Sequence, residues 1–544
     1  MGIFKSRRHL HHSLALVALV VSFQYCSSPV LTQNIGANGD FRILQEDNLK
    51  ISRVIAFGNA RTACEDDELY QLLAELKCKR TESDSSWQFC VYHGIDASNS
   101  DLNQKPRDSS LVPLNPKNGD LSFINVNNWK TLSEWDVFYG TNKNQYEHLN
   151  EADTELGFTE NLGKKDSVIY SNSEWVSIRT RMARSLANYN KLGIEDSQVR
   201  FACPTCRQPN TPVVYRGAGK FRVWFQDQFL AFTDGKGQHL LRSVDVIAGD
   251  VVLQNLTSCA GVNVSSGTLA VQGGNLLASK DFAIVGMDDL IKLAAIDSVG
   301  RNGFPSGKVR QKITRMVQKE LFGNDSLAKI IWAGNLRKVG TFLGSKDTSG
   351  YQPIYHLDVG LTLIGKLKQQ KGRWKGKTPY FLLVGMPDHR WQNYDEASDS
   401  SYVKEAKALV DSLACSIRLM KDSLVSNLSA HFKSIGEVNT IVVAIDIPLP
   451  LHIKIPTTEF QPYLRGYYSY CNGLVSGDSN GKNFYIPKRI NPLHDSTDTA
   501  NLDAAEKQLE SVLRQIDHLN PLYVQNSYWD EAALRCYLKV NARE

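Results

Sequence analysis

The chain has 544 residues, of which 42% are hydrophobic and 22% charged, with 38 Gly and 18 Pro. This composition excludes a disordered, collagen-like or small disulfide-stapled chain, and the length suggests about three or four domains of roughly 150 residues unless one α/β propeller or barrel takes most of it. Lys and Arg number 62 and Asp and Glu 57, for a formal charge of +5, and so even a balance does not require a nucleic-acid or membrane-surface partner.

The N-terminal residues have the pattern of a secretory signal. A basic run at residues 5–8 precedes an uncharged apolar stretch, Leu14–Phe23. That stretch is too short to cross a bilayer, which takes about 20 residues. We therefore assign residues 1–26 to a signal peptide and expect a secreted, periplasmic or cell-surface protein without a transmembrane segment. Cys26 is a candidate lipid anchor of the bacterial lipoprotein type, although Phe23-Gln24-Tyr25 matches a lipobox poorly.

Residues 27–164 are polar and rich in turn-forming residues, and we treat them as an accessory region of unknown fold. One helix is predicted at Asp66–Lys77, where Leu69, Leu72, Leu73 and Leu76 lie on one face. Cysteines 64, 78 and 90 surround this helix. Because disulfides persist in an exported protein, the pattern favours an accessory domain stapled by disulfides rather than a second site of chemistry.

From residue 165 to residue 544, short apolar strands alternate with amphipathic helices in a recurring order. The predicted helices are Trp175–Tyr189, Lys308–Leu321, Tyr402–Ser434 and Leu502–Leu519. The predicted strands are Ser167–Tyr170, Val199–Ala202, Val223–Phe232, Lys329–Ala333, Tyr355–Gly365, Pro379–Gly385, Thr440–Ile447, Tyr468–Val475, Asn483–Ile486, Leu522–Val524 and Ala533–Val540. A unit of one helix and three strands recurs about every 50 to 100 residues, which indicates radial or solenoid repetition. We therefore predict a quasi-symmetric α/β propeller.

Four polar side chains on these strands form a candidate catalytic set. Asp227 lies in a buried-strand sequence, where an unpaired carboxylate would be costly. His356 and Asp358 alternate within Tyr355–Gly360, so on a strand they point to the same face. Cys536 lies close to the C-terminus. On corresponding strands of different rounds, these four side chains would converge at the axis of a propeller.

The motifs around these residues resemble, in order along the chain, those of the guanidino-group-modifying enzymes of pentein fold, and within them the peptidyl-arginine deiminases. The matching segments are Trp224-Phe225-Gln226-Asp227, Gly274-Asn275-Leu276, His356-Leu357-Asp358, Ser469-Tyr470-Cys471-Asn472-Gly473, Phe484-Tyr485-Ile486-Pro487, and Cys536 with Asn541 downstream. The resemblance covers about residues 165–544 and implies a five-fold pseudo-symmetric α/β propeller. It also implies a hydrolase that converts peptidyl-arginine to citrulline.

The residue types suit that chemistry. A guanidinium is a planar cation whose N–H groups pair with carboxylates, so Asp227 and Asp358 would bind it from two sides. A thiolate at Cys536 would attack its carbon, and His356 would protonate the departing ammonia and then activate water. Trp224 and Asn472 would contact the substrate, and Arg242 is a candidate for binding the substrate's backbone.

Three departures from the family pattern bear on cofactor and substrate. Gln228 stands where the calcium-dependent animal deiminases have Glu, so we expect no cofactor and do not assign calcium. Gln272-Gly273-Gly274 replaces the Glu-Gly-Gly of the agmatine and arginine deiminases, which favours an arginine-containing protein or peptide over a small guanidino compound. Arg535 and Tyr537 are bulky neighbours of Cys536.

Two rival functions remain open at this point. A small-molecule guanidine deiminase or an amidinotransferase of agmatine or arginine type would use the same four residues with different surrounding loops. A catalytically inactive pentein that serves as a binding protein is the rival from another class, and the bulky neighbours of Cys536 favour it.

Two further features stand outside the candidate site. Residues 366–377 (KLKQQKGRWKGK) form a basic run around Trp374, which is either a solvated loop or a patch that attracts an anionic partner. Of the ten cysteines, we expect Cys536 to be a free reactive thiol and Cys471 to be unpaired, while the pair Cys203 and Cys206 favours a disulfide over a zinc site.

Overall fold

The computed structural model of the protein describes residues 41–60, 63–95, 123–125, 157–158, 168–169, 187–195, 198–202, 229–234, 239–243, 263–266, 269, 271–297, 304–336, 339–341, 348–354, 356–394, 400–454, 463–489, 496–526 and 538–543. The predicted signal peptide and Cys26 lie outside these residues. No helix in the described part of the chain has the length and apolar character needed to cross a bilayer.

The helices are α1 (Ala63–Lys79), α2 (Met287–Asp297), α3 (Gly307–Phe322), α4 (Leu357–Gly360), α5 (Ser400–Ser434) and α6 (Ser496–Leu513). The strands are β1 (Arg42–Ile43), β2 (Lys50–Ala60), β3 (Gln88–Ile95), β4 (Phe123–Asn125), β5 (Gly157–Phe158), β6 (Val168–Ile169), β7 (Val199–Ala202), β8 (Phe229–Thr233), β9 (His239–Ser243), β10 (Asn263–Ser266), β11 (Leu276–Ala278), β12 (Phe282–Gly286), β13 (Lys329–Ala333), β14 (Val339–Thr341), β15 (Thr348–Gly350), β16 (Leu361–Lys366), β17 (Tyr380–Met386), β18 (Asn393–Tyr394), β19 (Val442–Pro448), β20 (Leu451–Lys454), β21 (Tyr463–Tyr467), β22 (Leu474–Asp478), β23 (Gly481–Arg489), β24 (Leu519–Asn526) and β25 (Leu538–Arg543).

Five sheets formed by the described strands share one arrangement. Each sheet contains a set of three neighbouring strands in which the first is antiparallel to the second and the second is parallel to the third. The five sets are β25–β2–β3, β8–β9–β10, β11–β12–β13, β16–β17–β19 and β22–β23–β24. Parallel neighbours need a crossover connection. Helix α1 makes it in the first set, α2 and α3 in the third, α5 in the fourth and α6 in the fifth. The fold is therefore a mixed α/β fold built on a strand–strand–helix–strand unit.

The predicted recurrence of one helix with three strands is present, but the unit divides at a different place. A predicted round such as α5, β19, β22 and β23 spans two sheets, because β19 pairs with β17 and not with β22. The predicted helices Lys308–Leu321 and Tyr402–Ser434 are confirmed as α3 and α5. Most of Trp175–Tyr189 and of Val223–Phe232 lies outside the described residues.

Helix α5 shows how the sequence builds the core around these sheets. Its buried apolar residues recur every three or four positions, which places them on one face. They are Ala406, Val410, Leu413, Ile417, Met420, Leu424, Leu428 and Phe432, packed in one cluster with residues of β16 and β17. The helix ends where Gly436 takes a left-handed conformation (φ 87) and the N–H of Glu437 bonds to the carbonyl of Phe432 at 2.8 Å, which is the capping pattern favoured by glycine.

The N-terminal part of the chain is joined to the rest by strand pairing and by buried hydrogen bonds. Strand β2 lies between β25 and β3, with Val54 opposite Val540, and β3 is followed in the same sheet by β7. The carboxylate of Asp84 also accepts hydrogen bonds from Ser476 (2.8 Å), Asn483 (2.7 Å) and Tyr485 (2.6 Å) on β22 and β23. Residues Asp40–Glu544 accordingly form one compact unit. Strands β2 and β25 thus join the predicted regions 27–164 and 165–544 within one sheet, and the division between these regions stays a prediction.

The predicted helix Asp66–Lys77 is confirmed within α1, and its four leucines are buried. Of the cysteines around it, Cys90 is disulfide-bonded, whereas Cys78 is a free, exposed thiol. Cys415 and Cys471 are free as well, so the expectation that Cys471 stays unpaired is confirmed.

Candidate functional site

The candidate site lies at the start of the first strand in several of the repeated sheets. Asn275 directly precedes β11, Asp358 lies in the turn before β16, and Asn472 lies in the loop before β22. All three side chains are almost completely buried, with 2%, 0% and 0% of their surface exposed. Since buried polar groups need partners, this repetition marks a built polar site and not three unrelated surface residues.

Asp358 lies on a short helical turn and His356 directly precedes it, which corrects the prediction that the two share one face of a strand. Leu357–Gly360 forms the single turn α4, His356 precedes it in extended conformation (φ −123, ψ 145), and β16 begins only at Leu361. The turn packs closely against its own sequence neighbours, because a side chain at Gly360 would meet Ile354. Both residues remain together and buried, His356 at 6% exposed, but the turn and not strand alternation brings them together.

Asn275 holds this turn in place. Its Oδ1 accepts hydrogen bonds from Gln352 Nε2 (2.6 Å) and from the N–H of Leu357 (3.3 Å), and its Nδ2 donates to Asp289 Oδ2 (3.0 Å) on α2. A side chain at Gly286 would overlap both Asn275 and Gln352. One buried amide therefore connects the third sheet with the backbone between His356 and Asp358.

Two carboxyl groups of α2, those of Asp288 and Asp289, have raised pKa values. Burial raises the pKa of Asp289 above its ordinary value, although Lys292 and Asn275 stabilise the ionised form. Burial also raises the pKa of Asp288, whose Oδ1 accepts the N–H of Tyr351 at 2.7 Å. These carboxyls anchor the segment that leads into the His356 turn.

His356 is oriented by a glutamine. Its Nε2 lies 2.9 Å from Oε1 of Gln272. Because a carbonyl oxygen only accepts hydrogen bonds, Nε2 carries a proton in this contact. Gln272 therefore places a neutral amide, and not a carboxylate, against the imidazole.

The loop that carries Asn472 is tied to the Asp358 turn. Ser469 Oγ donates to the carbonyl of Val359 (2.6 Å), and the N–H of Asn472 donates back to Ser469 Oγ (3.1 Å). Thr362 also donates its hydroxyl hydrogen to the carbonyl of Cys471. The prediction of a strand over Tyr468–Val475 is wrong for its first six residues, because β22 starts at Leu474 and the preceding residues instead bond to the neighbouring sheet.

Cys471 lies inside this junction as a buried thiol. Burial raises its pKa to about 12, and the charge of Asp358 acts in the same direction. A thiol with so high a pKa stays protonated at neutral pH and is a poor nucleophile. Cys471 is therefore a packing residue and not a rival of Cys536 for catalysis.

Arg242 lies in a different environment from the other candidates. Its guanidinium forms an ion pair with Glu320 on α3 at 2.5 Å and lies over the ring of Phe232, 4.5 Å from the centroid. To bind a substrate carboxylate, Arg242 would have to leave Glu320. These contacts describe a residue that fastens α3 to its sheet.

Trp224, Asp227 and Cys536 lie outside the described residues, so the structure does not place them. In the sequence, Asp227 and Cys536 lie close to described strands. Asp227 comes two residues before Phe229, where the described part of β8 begins, and Cys536 comes two residues before Leu538, where the described part of β25 begins. Strands β8 and β25 are the first strands of their three-strand sets, as β16 and β22 are for Asp358 and Asn472.

Sequence reasoning missed the supporting residues Gln352 and Asp289, and it used Asn275 and Ser469 only as parts of motifs. A usable signal was present. In three of the repeated sheets, a Gly or Asn directly precedes a Leu that starts the first strand: Leu276, Leu361 and Leu474. That repetition marks equivalent positions at the start of each unit.

The site as described offers a buried carboxylate, a buried imidazole and a buried amide on neighbouring loops. A buried carboxylate is stable next to a cation that pairs with it. The chemistry that fits best is therefore recognition of a planar cation followed by proton transfer. Among the described residues, no group of three His, Cys, Asp or Glu side chains is arranged to hold a metal ion.

Comparison with known proteins gives matches among solved structures only. No family model matches the chain, and no curated protein does. An agmatine deiminase from C. jejuni with substrate bound is 10% identical, with 95% of this chain and 99% of that chain covered and a TM-score of 0.39. An agmatine deiminase from Enterococcus faecalis is 9% identical, with 93% and 96% covered and a TM-score of 0.42.

A third match is a dimethylarginine dimethylaminohydrolase, which is 9% identical, with 66% of this chain and 89% of that chain covered and a TM-score of 0.24. The matched proteins are guanidino-group-modifying enzymes, the class that the sequence motifs resemble. At these low identities and TM-scores, the proposed function rests on the site residues and their place in the repeated sheets.

Proposed function

We propose that the protein is a hydrolase that converts a guanidino group, most readily that of peptidyl-arginine, to a ureido group and ammonia. In this proposal the five repeated sheets are the five units of a pentein-type propeller. The first strand of each sheet then faces a common axis, and the residues at its start line one pocket.

One observation carries the proposal. Asp358 and Asn472 occupy equivalent positions at the start of first strands, are fully buried, and are joined through Ser469 and Val359. Asp227 and Cys536 lie close in the sequence to β8 and β25, the first strands of two further sets. If the repetition holds for all units, two carboxylates, an imidazole and a thiol meet at one place.

The reaction follows from these groups. Asp227 and Asp358 each accept N–H bonds from the guanidinium and fix its plane. The thiolate of Cys536 attacks the central carbon, and a C–S bond forms while the bond to one terminal nitrogen breaks. His356 donates a proton to that nitrogen, which leaves as ammonia, and a thiouronium remains on the enzyme. His356 then takes a proton from water, the hydroxide attacks the carbon, and the C–S bond breaks to give citrulline and free Cys536.

Gln272 supports a peptide as the substrate. It contacts His356 through a neutral amide, where the deiminases of free agmatine and arginine have a carboxylate that adds negative charge near a small cationic substrate. Trp224 and Asn472 are proposed to contact the substrate, whereas Arg242 is engaged by Glu320 and its assignment to the substrate backbone has no support among its contacts.

The decisive experiment measures ureido formation from an arginine-containing peptide, from free arginine and from agmatine. We expect activity on the peptide, loss of that activity in Cys536→Ala, and a loss of at least about a hundredfold in kcat/KM for Asp358→Asn. Cys415→Ala is the matched control, because Cys415 is an exposed free thiol outside the site.

The outcomes separate the rival functions. Activity that survives in Cys536→Ala contradicts the mechanism. Activity on free arginine or agmatine alone favours the small-molecule deiminase, and transfer of the amidino group to an added amine favours an amidinotransferase. No turnover of any substrate, together with binding of an arginine peptide, favours the inactive binding protein that the bulky residues Arg535 and Tyr537 suggest.

A further inference from the structure

The loop between β16 and β17 carries a concentration of positive charge that the proposed reaction does not use. Residues 366–377 contain six Lys and Arg residues, and no Asp or Glu occurs from residue 359 to residue 387. Five of the six, Lys368, Lys371, Arg373, Lys375 and Lys377, are exposed. We name residues 366–377 the basic hairpin.

The cations of the basic hairpin remain largely available. Lys366 is paired with Glu437 at 2.5 Å, and Lys368 donates to the neutral side chain of Asn480 at 2.8 Å. Among the described residues, no ion pair engages Lys371, Arg373, Lys375 or Lys377. The nearby acid Asp517 directs Oδ2 to the backbone N–H groups of Gln370 (2.9 Å) and Lys371 (2.5 Å), so this carboxylate caps the loop.

The hairpin is a fixed structure and not a loose loop. The side chain of Gln369, 3% exposed, forms two hydrogen bonds of 3.0 Å with the backbone of Asp517. Across the hairpin, the N–H of Gln369 bonds to the carbonyl of Lys377, and the N–H of Gly376 to the carbonyl of Gln369, both at 2.9 Å. Gly372 and Gly376 supply the left-handed turns (φ 65 and 75). Because the backbone is fixed before binding, little backbone entropy is lost when a ligand binds.

The one aromatic residue of the hairpin is already engaged. The ring of Trp374 packs edge-on against Phe381, with centroids 5.1 Å apart, and the guanidinium of Arg373 covers it at 4.1 Å. Stacking of nucleic-acid bases needs a free aromatic face, and insertion into a lipid surface needs a projecting apolar side chain. The hairpin offers neither, and its exposed charges are mostly Lys ammonium groups.

We propose that the basic hairpin is a docking site for a sulfated polysaccharide chain. Such a chain is hydrophilic, flexible and densely anionic, and it needs neither stacking nor insertion. The site is separate from the candidate catalytic site, because Asp358 lies before the start of β16 while the hairpin follows the end of the same strand. The proposal does not depend on the proposed activity.

The test uses the whole protein and a heparin-derived decasaccharide, with binding measured by calorimetry at two salt concentrations. The hairpin variant carries Lys371→Gln, Arg373→Gln, Lys375→Gln and Lys377→Gln. The control variant carries Lys308→Gln, Lys312→Gln, Arg315→Gln and Lys319→Gln, which removes four exposed charges from one face of α3. Both variants change the net charge from +5 to +1 by the loss of four cations, so the change in total charge is the same in both.

We expect the hairpin variant to bind the decasaccharide at least about tenfold more weakly, the control variant to bind within about twofold of the wild type, and affinity to fall as salt rises. A fully desulfated decasaccharide should not bind. The proposal is overturned if both variants lose affinity equally, or if the wild type does not bind the decasaccharide at about 0.1 M salt. Tighter binding of a single-stranded DNA of equal length, or of vesicles rich in phosphatidylserine, also overturns it. Equal melting temperatures of the three proteins show that the fold is unchanged.

Discussion

Lys482 is a buried cation whose environment makes the stability of the fold depend on pH. It is 3% exposed on β23, and its Nζ donates to the carbonyls of Asp47 and Ile364. Asp47 is held in turn by the hydroxyls of Ser279 and Tyr380, both at 2.7 Å from Oδ2. Burial lowers the pKa of Lys482 to about 8, although the charge of Asp47 acts against the shift.

This lowered pKa predicts a specific pH dependence. The side chain of a lysine in an unfolded chain has a pKa of about 10.4. Between about pH 8 and about pH 10, the unfolded chain therefore holds a proton that folded Lys482 has lost. Stability therefore rises with pH through this window. Relative to Lys482→Met, which has no titrating group at this position, the wild type should become more stable as the pH rises from about 7 to about 10.

The measurement is the free energy of unfolding by urea of both proteins at these two pH values. Other titrating groups, such as the buried tyrosines, are common to both proteins and cancel in the difference. Lys507→Met, at an exposed position, is the control and should show no such change. A constant difference between the wild type and Lys482→Met would mean that Lys482 keeps an ordinary pKa.

At the scale of single residues, the sequence identifies chemically active side chains better than the residues that support them. His356, Asp358 and Asn472 are recognisable because their types suit the chemistry, and they are buried as the site requires. Asn275 and Gln352 look like ordinary polar residues in the sequence. Their importance comes from contacts 77 positions apart along the chain, which no local pattern contains.

At the scale of elements, the start of β22 depends on a glycine. A Cβ at Gly473 would lie 2.3 Å from the carbonyl oxygen of Tyr485 on the paired strand β23 and 2.6 Å from the ring of Phe484. The first of these atoms belongs to backbone in a paired strand, so it cannot move without shifting β23. Asn472, the adjacent residue, would shift with it.

Gly473→Ala should therefore lower the free energy of unfolding by about 1–3 kcal/mol and reduce kcat/KM for the peptide substrate. Gly307→Ala is the control, because no atom lies within 4 Å of a Cβ at that position at the start of α3. That variant should keep or slightly increase stability. Thermal melts of the three proteins make the comparison, and a Gly473→Ala protein as stable as the wild type would contradict it.

Helices were more predictable than the turns around the site. The period of apolar residues in α5 and α3 gives both helices to within about two residues. The apolar residues of Tyr355–Gly365 and Tyr468–Val475 predict strands, yet in both segments a buried turn precedes the strand. A buried turn is as rich in apolar residues as a buried strand. Here the turns differ from strands in their hydrogen bonds to Asn275 and Val359.

At the scale of the whole molecule, the repeat was predictable but the pairing of the chain ends was not. Alternating strands and helices indicate a repeated unit, whereas nothing in the sequence of β25 indicates that its partner is β2, at the other end of the chain. Because this sheet joins the two parts of the chain, we expect the C-terminal part to depend on the N-terminal region for its folding. Asp47 and Asp84 reinforce this dependence with buried hydrogen bonds to β17 and β23.

A truncation tests this dependence directly. A fragment of residues 165–544 lacks β2, β3 and α1, and it leaves the buried partners of Asp47 and Asp84 without their carboxylates, at a cost of about 1–3 kcal/mol for each unsatisfied group. We expect this fragment to melt without a cooperative transition and to be digested rapidly by a protease, while residues 40–544 should melt cooperatively. Supplying residues 40–164 as a separate chain should restore protection from the protease. A fragment of residues 165–544 that melts cooperatively at the temperature of the longer chain would instead establish the accessory-domain division, and β2 would then be dispensable to the sheet that carries β25.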